Sequence, residues 1–258
     1  MKQRLLLTTI LTLALSAVGA SVEVGYWSFN EGSGNFVGDG SSFGNVGTLV
    51  NGTQASWTSG VSGSALYFPG VNGNNGTRVE IPDAPSLRLS GAASFAAWIY
   101  SEDLGRDAPI LAKEGSGGIS YWFGTFGLSS AGHWGVLLDG NGGYPWDFEG
   151  RSRGNAPGGR WTHLAATWDG IDIRYYVDGS LEGTAMWIGS LAGSDAKLSI
   201  GMNSDWLTTS FRGAIDEVHL YDHTISDADV ARLAAVPEPA SLAALGVGLA
   251  ALLARRRR

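Results

Sequence analysis

The sequence predicts an all-β fold, a two-sheet antiparallel sandwich. Its apolar runs are short, and Gly, Asn, Ser or Asp residues separate them. The 39 glycines are spread along the chain, and no amphipathic helical run is longer than the short one that follows Ser226. These features are typical of many short strands joined by tight turns. We expect a single domain over residues 21–235, because no linker-like tract interrupts that range.

Three segments give the clearest local signals. Ser94–Tyr100 is apolar on both faces, which predicts a central strand that is covered on both sides. Asp169-Gly170 and Asp178-Gly179 each separate two strand-like runs, and Asp-Gly pairs favour tight hairpin turns. Further strands are predicted at Val22–Phe29, Ala65–Pro69, Arg78–Pro82, Pro109–Lys113, Ser120–Phe126, Trp134–Asp139, Trp161–Trp168, Ile171–Val177, Ser180–Trp187 and Lys197–Gly201.

The stretch 211–222 predicts the closing strand of the sandwich. If its residues alternate strictly, Asp216, Val218 and Leu220 share one face, and the two apolar residues can be directed to the core. A carboxylate beside a core face needs a partner, which is a backbone donor, a cation or a metal. Ser226 then begins a short helix with two aspartates in its first turn, where the helix dipole favours negative charge.

The N-terminus has the pattern of a secretory signal peptide. Lys2 and Arg4 precede an apolar run, Leu5–Ala17, and Val18-Gly19-Ala20 places small residues where signal peptidase cleaves. We therefore expect residues 1–20 to be a signal peptide, with signal peptidase as a processing partner.

The C-terminal residues 236–258 form a second targeting segment. Val236-Pro237-Glu238-Pro239 is followed by the uncharged run Ser241–Ala254 and by four terminal arginines. The run predicts a short hydrophobic helix of 14 residues. Such a helix reaches only ~21 Å, less than a bilayer core of ~30 Å, so a permanent transmembrane helix is the weaker alternative.

These three parts, in this order, closely resemble the PEP-CTERM sorting signal of Gram-negative bacteria. The resemblance implies recognition by a membrane-embedded exosortase and cleavage near the motif. It also implies only a transient inner-membrane stage, followed by delivery to the cell surface or the extracellular matrix.

The body between the two ends is acidic. It keeps 11 of the 17 basic and 23 of the 24 acidic residues, a net charge near −12. No basic stripe remains to neutralise phosphates, so nucleic acid is not an expected partner. The chain has no cysteine, which excludes disulfides and thiol chemistry, and a body of this length can bury a core without them.

Four motifs in the body together resemble one family. The last reads GAIDEVHLYDHTISDADV from Gly213, and the others, in order along the chain, are Trp27–Gly34, Gly159–Ala165 and Tyr175–Gly179. They resemble the motifs of LamG-like, concanavalin A-type jelly-roll domains. The resemblance implies a LamG-like domain over residues 21–235. It is specific for fold and not for function, since lectins, enzymes and adhesive modules share this architecture.

The same resemblance implies a structural calcium ion. Ca²⁺ is bound by several hard oxygen ligands, both carboxylates and backbone carbonyl groups. The loop at Asp39 and the closing strand at Asp216 are expected to meet, so these two residues, with Asn45 as a weaker ligand, form the predicted metal site. In the alternative, Asp39 caps a turn and Asp216 meets Arg212 or a backbone amide.

Exposed aromatic residues are the candidates for carbohydrate binding. Rings can stack on the C–H faces of sugars, while amide and carboxylate groups bind hydroxyls. The predicted site is Asn141, Tyr144, Trp146 and Asp147, in a glycine-rich segment; the alternative is ordinary core packing of aromatic side chains. Of the other nine tryptophans, eight can be divided by position: Trp122, Trp134, Trp187 and Trp206 lie near turns, and Trp27, Trp98, Trp161 and Trp168 lie on strands and are expected in the core.

No catalytic pattern is present in the sequence. It has no E-x-D-x-x-E pairing of acids and no H-E-x-x-H. Gly40–Gly44 fits the letters G-x-S-x-G, but it lies in a polar loop and not in the strand-to-helix turn of a nucleophile elbow. His163 fits a strand motif of the family, and the resemblance implies a structural role for it. We therefore expect a non-catalytic binding or scaffold protein at an extracellular polysaccharide. A glycan-cleaving hydrolase of the same fold and a purely structural matrix protein are the alternatives.

Overall fold

The computed structural model describes residues 22–53, 56–115, 118–127, 132–140, 148–152, 155–204 and 207–235. These residues form two antiparallel sheets and a short α-helix, which confirms the predicted sandwich. The predicted signal peptide and the predicted C-terminal helix lie outside these ranges. Within them, no helix has the length and apolar character that crossing a bilayer requires.

The strands are short and are distributed over the whole body. In chain order they are β1 (Glu23–Trp27), β2 (Phe36–Val37), β3 (Gly47–Val50), β4 (Trp57–Ser59), β5 (Ser64–Pro69), β6 (Arg78–Ile81), β7 (Ala93–Ser101), β8 (Ala108–Gly115), β9 (Gly118–Phe126), β10 (His133–Leu138), β11 (Phe148–Arg151), β12 (Trp161–Trp168), β13 (Asp172–Val177), β14 (Ser180–Met186), β15 (Leu198–Ile200) and β16 (Arg212–Tyr221). A 3₁₀ turn spans Pro85–Leu87, and the helix α1 spans Asp227–Leu233.

Each sheet combines strands that are distant in sequence. The first sheet has the order β14-β13-β12-β7-β16-β5-β4, and β1 also pairs with β16. The second sheet has the order β11-β10-β9-β8-β15-β6-β3-β2. Large buried rings fill the space between the sheets, among them Trp27, Phe95, Phe123, Trp134 and Trp168. Aromatic side chains suit this position because each removes a large apolar area from water.

β7 is the central strand of the first sheet, as the sequence predicts. It lies between β12 and β16, and Phe95, Ala97 and Ile99 face the core. Both predicted hairpins are also confirmed. Asp169-Gly170 joins β12 to β13, and Asp178-Gly179 joins β13 to β14 with positive φ at both turn residues, a backbone that favours Asp-Gly.

β16 brings the two ends of the body together. It pairs with β7 along one edge. Along the other edge, β5 pairs with residues 212–215 and β1 pairs with residues 218–221. Trp27, the last residue of β1, is fully buried opposite Val218. The first and last strands of the body are therefore neighbours, as expected.

The predicted alternation of the closing strand is wrong at its centre. A β-bulge interrupts the pairing of β16 with β7 between Asp216 and His219, and Glu217 has a φ of 48°. Ile215 and Val218 therefore both belong to the core, although strict alternation would place them on opposite faces. The bulge lies where β5 gives way to β1, and one extra residue there changes the face of every side chain that follows.

The helix α1 covers part of the outer face of the first sheet. The Ser226 hydroxyl accepts the Asp229 N–H, and the Asp229 carboxylate accepts the Ser226 N–H, which together form a capping box. Val230 is buried against the sheet. The helix ends beside β7, where Trp98 Nε1 donates to the Leu233 carbonyl oxygen at 3.2 Å.

Candidate functional site

An aromatic cleft lies on the outer face of the first sheet, two residues along β7 from the contact with α1. Trp161 on β12 pairs with Tyr100 on β7. Tyr100 also pairs with Ala214 on β16, which pairs with Tyr67 on β5. Chain neighbours of three of these residues face the core, so the row faces outward; they are Leu66, Phe68, Ile99 and Ile215. The cleft has a volume of about 310 Å³ and is lined by Thr58, Ser59, Tyr67, Tyr100, Glu102, Trp161 and Ala214.

A small residue creates the depression between the rings. Ala214 is buried, and its methyl group leaves space between Tyr67 and Tyr100 that a larger side chain would fill. The rings of Tyr100 and Trp161 meet edge to face with their centroids 6.0 Å apart, a favourable geometry that restrains both. Gly213 allows β16 to lie this close to β7, because a Cβ there would overlap the Tyr100 carbonyl oxygen.

One end of the aromatic cleft is polar. Glu102 Oε2 accepts the Tyr67 hydroxyl at 3.0 Å and the Arg212 Nε at 3.4 Å. Burial and this bond to Glu102 raise the pKa of Tyr67, so the phenol remains a hydrogen-bond donor. The cleft thus combines three aromatic rings with a positioned carboxylate and hydroxyl. Such groups can contact both the C–H face and the hydroxyls of a sugar.

The basic groups beside the aromatic cleft are paired with acids. Arg212 lies 3.4 Å from Glu102, and Arg160, which precedes Trp161, lies 2.7 Å from Asp178. Both pairs are solvent-exposed and contribute little to stability. Each pair nevertheless cancels the local charge, so the cleft is close to neutral although the body as a whole is acidic.

The carbohydrate site predicted from the sequence stays a prediction. Its residues, Asn141, Tyr144, Trp146 and Asp147, lie outside the part of the chain that the structure describes.

The division of the other tryptophans from sequence is partly wrong. Trp122 and Trp134, which the sequence places near turns, are both buried, in agreement with the alternative of ordinary core packing. Trp161 was expected in the core, but it is only partly buried and forms one side of the aromatic cleft. The error arises because a strand residue can lie on the outer face of a sheet, and only the register across several strands shows which face that is.

Asp39 and Asn45 lie together in the loop between β2 and β3. The Asp39 carboxylate accepts the Tyr26 N–H at 2.9 Å, the Ser41 N–H at 2.8 Å and the Ser41 hydroxyl at 2.7 Å. It also accepts the Asn45 N–H at 2.6 Å. A carboxylate offers about four lone-pair positions, so these donors occupy them all. Asp39 therefore caps a turn, which is the alternative that the sequence left open.

Asp216 is fully buried and accepts bonds from a different part of the chain. Its Oδ2 accepts the backbone N–H of Val61 at 2.8 Å and of Ser62 at 3.3 Å, and its Oδ1 accepts the Glu217 N–H at 2.9 Å. The loss of hydration raises the pKa of Asp216 from its ordinary value of 3.8 to about 7. Asp216 therefore meets backbone amides, as the same alternative proposed.

The calcium site predicted at Asp39, Asn45 and Asp216 stays a prediction. In this structure the Asp39 carboxylate accepts four hydrogen bonds, and the side-chain amide of Asn45 donates to the Val24 carbonyl and to Ser86. Among the described residues, no group of three or more His, Asp or Glu side chains is placed to hold a metal ion, so such a site would need backbone carbonyl ligands as well.

A second polar cluster joins β1 to β16, and the sequence analysis missed it. His219 Nδ1 lies 2.6 Å from the Glu23 carboxylate, and the His219 ring stacks on Tyr26 with the centroids 4.4 Å apart. The Tyr26 hydroxyl donates to Glu217 at 2.6 Å, across a sequence separation of 191 residues. Burial raises the pKa of Tyr26, so this phenol keeps its proton. Since each group has a partner on the other strand, the cluster stabilises the pairing of the two ends.

Comparisons with known proteins agree with this architecture. Residues 72–231 match the family model described as the concanavalin A-like lectin/glucanases superfamily, and residues 235–258 match the PEP-CTERM protein-sorting motif. No curated protein sequence matches the chain.

Several solved structures share the fold. Domain 4 of AbnA, a GH43 extracellular arabinanase from Geobacillus stearothermophilus solved with arabinotriose, is 23% identical with a TM-score of 0.59, and the match covers 83% of this chain and 98% of that domain. The binding domain of Paraclostridial mosquitocidal protein 1 is 12% identical with a TM-score of 0.60, and the match covers 83% of this chain and 52% of that one. The botulinum neurotoxin serotype G binding domain is 12% identical with a TM-score of 0.60, and the match covers 82% of this chain and 50% of that one.

The chain therefore spans about half the length of the two toxin domains, and at these identities the likeness concerns the fold alone. The family model covers more than half of the chain, and the two sheets of the chain form the expected sandwich. The chain belongs to the concanavalin A-like lectin/glucanases superfamily and carries a C-terminal PEP-CTERM sorting motif.

Proposed function

We propose that this protein is an exported, non-catalytic protein that binds an extracellular polysaccharide through the aromatic cleft. The observation that carries the proposal is the row of Trp161, Tyr100 and Tyr67 on the outer face of a sheet, with Glu102 at one end. Rings that lie across neighbouring strands of a rigid sheet offer a preorganised surface, so little entropy is lost when a sugar stacks on them.

The sorting motif supports the location of this activity. The match over residues 235–258 indicates export and membrane-associated processing. We propose that an exosortase-type enzyme is the processing partner and that the cell surface or the extracellular matrix is the destination. Polysaccharides are among the polymers found there, which agrees with the ligand class that the cleft suits.

The residues that line the aromatic cleft favour binding over hydrolysis. Glu102 is the one acid among these described lining residues. Hydrolysis by the usual mechanism needs two carboxyl groups ~5 to 10 Å apart, one of which protonates the leaving group. Glu102 is also held by Tyr67 and Arg212, which favours a role in positioning a ligand.

Replacing Trp161 by Ala is expected to weaken glycan binding at least about tenfold, equivalent to ~1.4 kcal/mol, because the ring supplies much of the stacking surface. Trp161→Phe should retain most of the affinity. The measurement is a glycan array followed by calorimetric titration of the best oligosaccharide, with arabino-oligosaccharides included in the panel. Phe36→Ala is the matched control, since Phe36 is an aromatic residue that is 61% exposed on the other sheet.

Each result of that experiment decides between the alternatives. Binding that survives Trp161→Ala would move the site away from the cleft. Release of reducing sugar ends from a bound oligosaccharide would indicate a hydrolase. The absence of any glycan ligand, with a folded protein, would favour a purely structural matrix protein.

The predicted structural calcium is part of the same proposal and can be tested separately. If calcium is bound at Asp216, EDTA should lower the melting temperature of the purified protein, and added Ca²⁺ should restore it. Asp216→Asn should abolish the change of melting temperature with EDTA and Ca²⁺. Asp39→Asn should lower the melting temperature, because Asp39 caps a turn, but the protein should still respond to EDTA and Ca²⁺. An unchanged melting temperature and no metal by elemental analysis would remove the ion from the proposal.

A further inference from the structure

A second compartment adjoins the aromatic cleft. It has a volume of about 380 Å³ and lies at the rim of the first sheet, where β7 ends and β12 begins. Tyr100 and Glu102 line both spaces, so the two compartments share one wall. We call this second space the rim compartment; its other lining residues are Ser101, Leu104, Gly158 and Gly159.

Backbone contacts fix the shape of the rim compartment. The Gly159 N–H donates to the Ser101 carbonyl at 2.9 Å and ties the entry of β12 to the end of β7. Gly159 has a φ of 71°, which suits glycine. A Cβ at Gly158 would lie 3.3 Å from Leu104 Cδ1, so any side chain at that position would reduce the space. The compartment therefore depends on glycine at these positions.

The charge around the two compartments selects the ligand class. Arg212 is paired with Glu102 and Arg160 with Asp178, so neither guanidinium is free of a counter-charge. The body carries a net charge near −12, which repels anionic polymers that come within a Debye length, ~8 Å in physiological salt. A neutral ligand therefore fits this surface better than a uronic acid or a sulfated sugar.

We propose that the aromatic cleft and the rim compartment form one groove, which binds two consecutive sugar units of an uncharged polysaccharide. One unit stacks in the aromatic cleft, and the next lies in the rim compartment against Leu104 and the two glycines. Glu102, at the shared wall, accepts a hydrogen bond from a hydroxyl of one of the two linked sugar units. Each compartment lies near the lower end of the ~300 to 1,000 Å³ range of ligand pockets, which suits one sugar unit in each. The inference rests on the proposed function of the cleft.

Chain length is the first test, and the unaltered protein decides it. Neutral oligosaccharides of one to four units, in an arabinose series and a glucose series, are titrated calorimetrically. We expect the disaccharide of the preferred series to bind at least about tenfold more tightly than the monosaccharide, with smaller gains beyond. Equal affinity for one and two units would overturn the proposal while leaving glycan binding by the cleft intact.

Substitution of a glycine is the second test. Gly158→Leu fills the rim compartment and should reduce disaccharide affinity to that of the monosaccharide, while monosaccharide affinity changes less than about twofold. Gly91→Leu is the matched control, since a Cβ there meets no atom within 4 Å and Gly91 does not line the groove. Trp161→Ala, in contrast, should weaken the binding of both ligands.

Salt dependence is the third test. The affinity for the preferred neutral oligosaccharide should change less than about twofold between 50 and 500 mM NaCl. Preference for an acidic oligosaccharide, with affinity that falls steeply with salt, would overturn the uncharged class and retain glycan binding. Failure of every oligosaccharide to bind a folded protein would instead contradict the proposed function itself.

Discussion

Replacing Asp216 by Asn is expected to remove a contribution to stability that falls between about pH 4 and pH 7. Asp216 is buried, and the loss of hydration raises its pKa from 3.8 to about 7 in the folded protein. In the unfolded chain it titrates near 3.8, so between these values the folded state holds a proton that the unfolded state has lost. The free energy of unfolding therefore falls as pH rises from about 4 to about 7 and levels off above that. The total fall is up to ~4 kcal/mol, since each pKa unit corresponds to about 1.36 kcal/mol.

The measurement is urea unfolding of both proteins at several pH values in calcium-free buffer. The difference between the two curves isolates Asp216, because other acidic groups titrate equally in both proteins. Asp83 and Asp103, for example, have lowered pKa values owing to hydrogen bonds, and they stabilise the protein as pH rises above their titration range. Parallel curves for the two proteins would show that Asp216 does not titrate in this window. Bound Ca²⁺ would oppose the fall, since it favours the ionised carboxylate.

Replacing Trp27 by Ala is expected to destabilise the protein by ~3 to 5 kcal/mol, the usual cost of removing a buried aromatic side chain. Trp27 is fully buried, and its Nε1 donates to the Asn45 carbonyl oxygen at 2.9 Å. The residue lies on β1 opposite Val218 of β16, so the substitution opens a cavity where the two ends of the body meet. Such a loss is a large share of the ~5 to 15 kcal/mol that stabilises a typical domain.

Thermal and urea unfolding would measure this loss, with Trp57→Ala as the matched control. Trp57 is also on a strand and its Nε1 also donates to a backbone carbonyl, at Gly34, but it is only partly buried. We expect the control to lose less than half as much stability. Similar losses for the two variants would argue against a dominant contribution of the β1–β16 contact to the core.

Local chemistry explains which parts of the fold could be predicted from sequence. The two Asp-Gly hairpins are determined by backbone preferences of two residues, and β7 is recognisable because both of its faces are apolar. The proximity of the first and last strands followed from the family motifs. The capping box of α1 needs only Ser226 and Asp229, three residues apart.

The missed features depend on contacts between distant segments. The bulge at Glu217 occurs where two different strands meet one edge of β16, and nothing within the strand's own sequence marks that exchange. The aromatic cleft needs the registers of β12, β7, β16 and β5 together, because only they place Trp161, Tyr100 and Tyr67 in one row. The role of Ala214 could not be predicted from the sequence either, since its small side chain acts only by leaving space between Tyr67 and Tyr100.

The pairing of β1 with β16 also constrains how the protein can cross a membrane. The first strand of the body finds its partner almost 200 residues later, as the 196-residue separation of Glu23 and His219 shows. If the predicted signal peptide directs export with the N-terminus first, β1 would emerge long before β16, and the first sheet could not be completed until nearly the whole body had passed. Its folding outside should be slow, because distant contacts must form before the sandwich closes.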